Sequence, residues 1–183
     1  MKRPPAACFL DQPGTDPVTG LQSAMYFNQI LREELRRAAR FDLPLSVILV
    51  DVDLLKNINS NFGRSAGDLA LSGTAEIIHR NVRPCDVVCR LGGEGFAVML
   101  LETGAEEALA VAERIREHVE STCFSVSTSV QPIDVTISLG IASYPVHGAG
   151  AKDMFLQAGQ AIHHAKLCGR NRSCVATVFG SGI

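Results

Sequence analysis

Three carboxylates occupy positions where chemistry is possible: Asp51 and Asp53 end a nearly unbroken apolar run, and Glu94 follows Gly92-Gly93. Gathered at one edge of a sheet, these hard oxygen ligands suit Mg²⁺ bridging substrate phosphates; kept apart, they only solvate a strand end and a turn. Lys56, Asn59 and Asp68 form a second group. A carboxamide offers a donor and an acceptor, and a carboxylate accepts two N–H groups, so Asn59 with Asp68 could read a guanine edge. The surrounding Asn57, Ser60, Asn61 and Gly63 also read as a plain turn and helix cap. Lys166 and Arg170 flank Leu167-Cys168-Gly169 and supply a point charge and a planar fork for phosphate oxygens, or else an ordinary cationic helix terminus. Arg83 and Asp86, with Arg90 further on, could grip a phosphate and a base or pair with each other at the surface.

These residues need a scaffold, and the apolar spacing outlines one. Phe27, Ile30, Leu31, Leu35 and Ala38 recur at helical intervals and predict an amphipathic helix over residues 24 to 41, stopped by Leu43-Pro44. Residues 45 to 51 read as a central strand covered on both faces. A helix is expected over 66 to 82, then strands at 86 to 89 and 96 to 101 joined across Gly92-Gly93, where glycine reaches positive φ without strain. A helix at 106 to 119, a strand at 135 to 143, a helix at 152 to 168 closed by Gly169, and a strand at 173 to 178 complete the series. Mixed strands and helices of this order fit α/β or α+β packing over one sheet.

At 183 residues, 46% of them hydrophobic, the chain suits one domain, with residues 1 to 15 as a tail or linker stub. A formal net charge of −2 gives no general attraction for nucleic-acid polymers or anionic membranes, so phosphate binding must come from a local arrangement of charges. No apolar run approaches the ~20 residues of a membrane helix, and Lys2-Arg3-Pro4-Pro5 does not open a signal peptide; a cytoplasmic location is expected. The six cysteines show no C-x-x-C spacing and read as reduced, mostly buried thiols, with Cys85 and Cys89 in the core. The adjacent His163 and His164 face different directions on a helix and are not read as a metal site.

Together the segments resemble the GGDEF family from Asp16 to Asn171. Asp16-Pro17-Val18-Thr19-Gly20-Leu21 is similar to its opening motif D-x-L-T-G-L, and the stretch from Asp51 to Asn59 to its D-x-D-x-F-K-x-x-N. The stretch from Gly63 to Asp68 resembles G-x-x-x-G-D, Gly92-Gly93-Glu94-Gly95-Phe96 occupies the signature position, and the stretch from Val135 to Ala142 resembles the late strand. Ala165-Lys166 and Gly169-Arg170-Asn171 finish the pattern.

That resemblance implies a palm-like central mixed sheet of about five strands flanked by helices, a nucleotide-cyclase/ferredoxin-like core spanning residues 16 to 179. It implies a diguanylate cyclase condensing two GTP into cyclic di-GMP and pyrophosphate with Mg²⁺ or Mn²⁺. Asp51, Glu94 and the carbonyl of Val52 would hold metal, with Asp51 and Glu94 as the catalytic pair. Asn59 and Asp68 would read guanine, Lys56, Lys166 and Arg170 would steady phosphates, and Gly92 and Gly93 would admit the nucleotide to the backbone. A homodimer would face two GTP toward each other, a sensor or regulatory domain would set the output, and Arg83 with Asp86 would form an inhibitory cyclic di-GMP site, with Arg114 as an additional contact from a neighbouring domain. The departures are Leu55, Gly159, His163, the Gln22-Ser23-Ala24 segment and Gly95, which stands where the fourth signature acid belongs. Only Gly95 touches the expected chemistry, and it leaves open an alternative: a catalytically degenerate domain that senses GTP or cyclic di-GMP.

Overall fold

The computed structural model describes residues 14 to 125 and 132 to 177. Its strands are β1 (Gln22–Ser23), β2 (Leu45–Val52), β3 (Val87–Gly92), β4 (Gly95–Leu101), β5 (Ile137–Tyr144) and β6 (Ser173–Val175). They form one mixed sheet in the order β1-β3-β4-β2-β5-β6. The outer pairs β1/β3 and β5/β6 are parallel, whereas β2 runs antiparallel to both β4 and β5. The expected count of about five strands becomes six because the two-residue β1 is too short to show a hydrophobic period.

Five helices cover the sheet: α1 (Ala24–Phe41), α2 (Leu55–Phe62), α3 (Arg64–Arg80), α4 (Ala105–Ser121) and α5 (Ala151–Leu167). Alternation along the strands sorts them into two cores. Ile48, Val50 and Val52 of β2, with Phe96, Val98 and Leu100 of β4, pack under α3 and α4. Leu45 and Val47, with Ala97, Met99 and Leu101, face α1 and α5. The apolar run at 45 to 52 is therefore a central strand buried on both faces.

Local chemistry sets the helix ends. The Ser23 hydroxyl accepts from Tyr26 N–H at the start of α1, and Asp42, at φ 52°, turns the chain out of it one residue before the expected Leu43-Pro44 stop. The Glu107 carboxylate takes the Gly104 N–H at 3.0 Å and caps α4. The segment 55 to 62, rich in turn residues, forms α2 because Leu55 and Ile58 bury one side of a short helix in the first core. Tertiary burial there overrides weak propensity.

α5 approaches β5 closely enough to lie on a glycine. A Cβ at Gly140 would meet the carbonyl of Ala158, the N–H of Ile162, and the Ile162 Cβ at 2.8 Å. Backbone cannot yield there, so Gly140→Ala should lose about 3 kcal/mol. A thermal melt is expected to fall by about 10 °C; an unchanged midpoint would mean that α5 can slide. The contact matters for function because α5 carries Lys166.

Residues 1 to 13 of the expected tail lie outside the described residues, as do 178 and 179 of the expected domain. Thr15 forms an isolated antiparallel bridge with Gln22. Among the described residues no helix is long and apolar enough to cross a membrane.

Candidate active site

The C-terminal end of β2, the tip of the β3–β4 hairpin, the start of β5 and the turn after α5 meet at one end of the sheet. Asp51 stands opposite Gly95 on one side and Ser138 on the other. The next residue, Val52, donates its N–H to the Glu94 carbonyl at 3.0 Å, which clamps the hairpin tip against β2. Lys166 Nζ reaches Asp51 Oδ1 at 2.7 Å. Burial raises the Asp51 carboxyl above its ordinary value. The hydrogen bond and charge of Lys166 pull it down, while Glu94 and Asp53 push it further up. Asp51, Glu94 and Lys166 are thus gathered in one place.

Asp53 departs from the expectation that it joins this pair. It is buried, and both its oxygens are occupied: Oδ1 accepts from Ser138 Oγ at 2.7 Å, and Oδ2 from Thr136 Oγ1 at 2.9 Å and Asn171 N–H at 3.1 Å. Its own N–H goes to the Thr136 carbonyl at 2.9 Å. β5 begins at Ile137, two residues after the expected start at 135. Asp53 fastens the end of β2 to β5 and to the turn after α5, and the three hydrogen bonds its oxygens accept there make it a structural group. The hydroxyls of Thr136 and Ser138 in an otherwise apolar stretch are the signal in the sequence; nothing local to 51–53 separates the two acids.

The turn after α5 is built from three left-handed residues, Gly169, Arg170 and Asn171, at φ 108°, 60° and 46°. Asn171 holds it from the other side too, accepting from Arg116 Nη1 at 3.1 Å and donating to Glu120 Oε1 at 2.8 Å. Arg116 is itself paired with Glu113 at 2.9 Å and Glu120 at 2.7 Å. This network on α4 fixes the turn and leaves Arg170 exposed beside the end of α5.

Asn59 of α2 lies against the first turns of α3. The Asn59 carboxamide lies against Gly67, so close that a Cβ at 67 would collide with it, and Asp68 is the next residue. Lys56 stands exposed near the start of α2. Between this corner and the hairpin lies Arg90, 7% exposed, stacked over the Phe96 ring at 4.6 Å and donating to the Gly93 carbonyl. Among the described residues its Nε and Nη1 are buried without a hydrogen-bond partner. Burial lowers the Arg90 pKa, and the charges of Asp16, Asp68 and Glu94 oppose that shift. Arg90 therefore ties the Asp68 corner electrostatically to the signature hairpin, a linkage that sequence spacing leaves open. A polar residue inside the apolar β3 is its one local signal.

Gly67→Ala separates site from scaffold. Alanine in a helix gains up to ~1 kcal/mol over glycine, yet here its methyl must displace the Asn59 carboxamide. A fold at least as stable is expected by melting; if Asn59 reads a guanine edge, as the sequence leads one to expect, titration should show GTP affinity weakened about tenfold. Unchanged affinity would remove Asn59 from the site.

Gly92 and Gly93 adopt φ 105° and 54°, and among the described residues a Cβ at either would find no atom within 4 Å beyond its chain neighbours. Backbone conformation explains these glycines, and the space above them is open. Gly95 has no such conformation; a Cβ there would make ordinary contacts at 3.6 Å with the Gly92 carbonyl and Leu91 Cβ.

Arg83 and Asp86 meet otherwise than as a side-chain pair. Asp86 Oδ2 accepts the Arg83 backbone N–H at 2.9 Å, and Oδ1 accepts the Leu101 N–H at 3.1 Å, so Asp86 caps a turn and the end of β4. The Arg83 side chain is exposed. Arg114 donates to the Asn81 side chain at 3.2 Å and to its carbonyl at 2.8 Å, closing the C-terminus of α3 within the same domain. Of the five described cysteines only Cys89 is buried, with its thiol pushed up to about 12 by desolvation; the expectation of mostly buried thiols fails because Cys85, Cys123 and Cys168 lie in exposed turns and helix ends.

Residues 14–172 match the family described as diguanylate cyclase, GGDEF domain. The chain is 40% identical over 166 residues to diguanylate cyclase A of Treponema denticola, covering 89% of this chain and 44% of that protein. It is thus similar to a region spanning less than half of that relative. Among solved structures it is similar to the GGDEF domain of TpbB (YfiN) from Pseudomonas aeruginosa, at TM-score 0.86 and 30% identity over 90% of this chain and 95% of that one. The GGDEF domain of DgcB from Caulobacter crescentus, solved in complex with c-di-GMP, matches at TM-score 0.84 and 25% identity over 90% of this chain and 96% of that one. The chain belongs to the GGDEF family of diguanylate cyclase domains.

Proposed function

We propose that this domain, residues 16 to 179, is a cytoplasmic diguanylate cyclase that condenses two GTP into cyclic di-GMP and pyrophosphate, slowed by Gly95. The observation that carries this reading is the meeting of Asp51, Glu94 and Lys166 at one end of the sheet, with the charges of Asp68 and Glu94 both acting on the buried Arg90.

The donor set fits a divalent cation. Among the described residues no three His, Cys, Asp or Glu side chains are arranged to hold a metal ion. Two carboxylates and the Val52 carbonyl are nevertheless the sort of partial oxygen set that Mg²⁺ or Mn²⁺ completes with phosphate oxygens and water. Asp51 and Glu94 repel one another's charge, an arrangement that a cation relieves. When bound, the metal supplies charge neutralisation at the phosphates. The protein's own residues supply position. Asn59 and Asp68 accept and donate along the guanine edge, the open backbone at Gly92 and Gly93 receives the nucleotide, and Lys56, Lys166 and Arg170 face the phosphates. For Lys166 this means exchanging Asp51 for phosphate oxygen. Two domains face each other so that the 3′-hydroxyl of each GTP attacks the α-phosphorus of the other, and positioning provides most of the rate.

Purified protein incubated with GTP and Mg²⁺ or Mn²⁺ should yield cyclic di-GMP by chromatography. Confirmed dimers that bind GTP without turnover would instead support a sensing module relaying occupancy to a partner domain, which the missing acid at 95 and the self-neutralised Asp51–Lys166 pair favour.

Product inhibition is assigned to Arg83 and Asp86, and the two respond differently to substitution. Asp86→Ala strands two backbone N–H groups and should cost about 2 kcal/mol besides any effect on inhibition. Arg83→Ala leaves those bonds intact, so it should relieve inhibition at constant stability, read as a rightward shift of the cyclic di-GMP inhibition curve.

A further inference from the structure

Next to the turn that presents Arg170 lies a group of reactive atoms that the cyclase reading leaves unused. His164 and Cys168 stand one helical turn apart at the end of α5, and Cys174 comes up from β6. Cys168 Sγ lies 3.5 Å from His164 Nε2, and Cys174 Sγ lies 3.6 Å from Nδ1 of the same ring. Both thiols are reduced; Cys168 is exposed and Cys174 half-buried. With the ring proton on Nδ1, Nε2 accepts from the Cys168 S–H while Nδ1–H faces the Cys174 sulfur. An exposed thiol with a base in contact and a second thiol beside it has the make-up of an oxidation-sensitive pair.

We propose that Cys168 and Cys174 are a modification site, a thiol pair activated by His164 that a small-molecule disulfide oxidises to an intramolecular disulfide. Cys168 passes its proton to His164, and the thiolate attacks one sulfur of the external disulfide. A mixed S–S bond forms at Cys168, and the first small thiolate leaves and takes up a proton. Cys174 then loses its proton and attacks the Cys168 sulfur, expelling the second small thiol. Two protein thiols are oxidised by two electrons and one external disulfide is reduced to two thiols. Burial and the neighbouring Cys168 raise the Cys174 thiol, which suits it to resolve the adduct and not to start the exchange. The bridge would close residues 168 to 174 around Arg170 and Asn171 and fasten the end of α5 to β6.

The site can be tested without nucleotide, so failure here leaves the cyclase reading untouched. The full chain, reduced and freed of reductant, is incubated with oxidised glutathione, alkylated under denaturing conditions and digested with trypsin. Cleavage after Lys166, Arg170 and Arg172 puts the two cysteines in separate peptides, joined only if the bridge has formed. The expected product is that joined pair, with exposed Cys123 carrying a simple glutathione adduct. Cys174→Ser should trap glutathione on Cys168, and His164→Phe should slow Cys168 about three- to tenfold relative to Cys123 in the same sample. Stable adducts on both Cys168 and Cys174 without a bridge, or a Cys168 rate equal to that of Cys123 in the unmodified chain, would overturn the proposal.

Discussion

Asp51→Asn should lower cyclic di-GMP formation by about 10²–10⁴-fold while leaving the fold as stable as before or more so. The two effects have one cause. The substituted carboxamide keeps the size and a hydrogen-bonding oxygen but lacks the anion that Lys166 holds and that the proposed metal would need. Burial raises the Asp51 carboxyl above 3.8 in spite of Lys166, so the native state binds its proton more tightly than the unfolded chain. For a raised carboxyl, stability is present at low pH and lost as the pH climbs from 3.8 through the native value. At neutral pH the ionised group therefore works against folding, and the substitution relieves it. Lys166, about one-third exposed, can hydrate when its partner is gone. The checks are a cyclase assay and a thermal melt on the same preparation. A turnover loss accompanied by a large drop in melting temperature would mean that Asp51 acts as a structural group like Asp53.

Gly95→Glu is expected to change activity in the opposite direction. Position 95 lies directly across the ladder from Asp51, and a Cβ there meets only ordinary contacts without a left-handed backbone. Glycine at this position is thus no requirement of the fold, and a side chain there would start on the same face of the sheet as Asp51. If the added acid supports the metal set, turnover should rise about 10–100-fold. If it moves a proton in the transition state, the rise should be about 10²–10⁴-fold. Initial rates at saturating GTP and Mn²⁺ measure it. No gain in a variant that still binds GTP and dimerises would shift the assignment from slow enzyme to sensing module. The added carboxylate also competes with Asp51 for Lys166, so its effect on GTP affinity reports how tightly that pair holds.

Much of the scaffold is legible in the sequence. The helical period from Phe27 to Ala38 and the apolar run at 45 to 51 depend on each residue's own contribution to a buried face, and the helix and a strand ending one residue later, at Val52, are found there. The hairpin at Gly92-Gly93 is legible for the same reason, since positive φ is a local demand. α2 is not, because its Asn-rich sequence prefers turns and becomes helical only when Leu55 and Ile58 find the core.

The candidate site divides along the same line. Residue type and order in the chain are enough to nominate Asp51, Glu94, Asn59, Asp68, Lys166 and Arg170, because a carboxylate, a carboxamide or a cation carries its chemistry wherever it is placed. Which acid faces Lys166 and which is bound up in structure follows from partners far along the chain. Asp53 is taken by Thr136, Ser138 and Asn171, whereas Asp51 has one partner side chain, that of Lys166, among the described residues. Asp86 likewise spends its oxygens on two backbone N–H groups, and buried Arg90 gains its place from a ring, a carbonyl and three acids. The partners of Asp51 and Asp53 lie far beyond the reach of any helical or strand period, so they leave no periodic trace in a single sequence; they appear only once the sheet has brought its strand ends together.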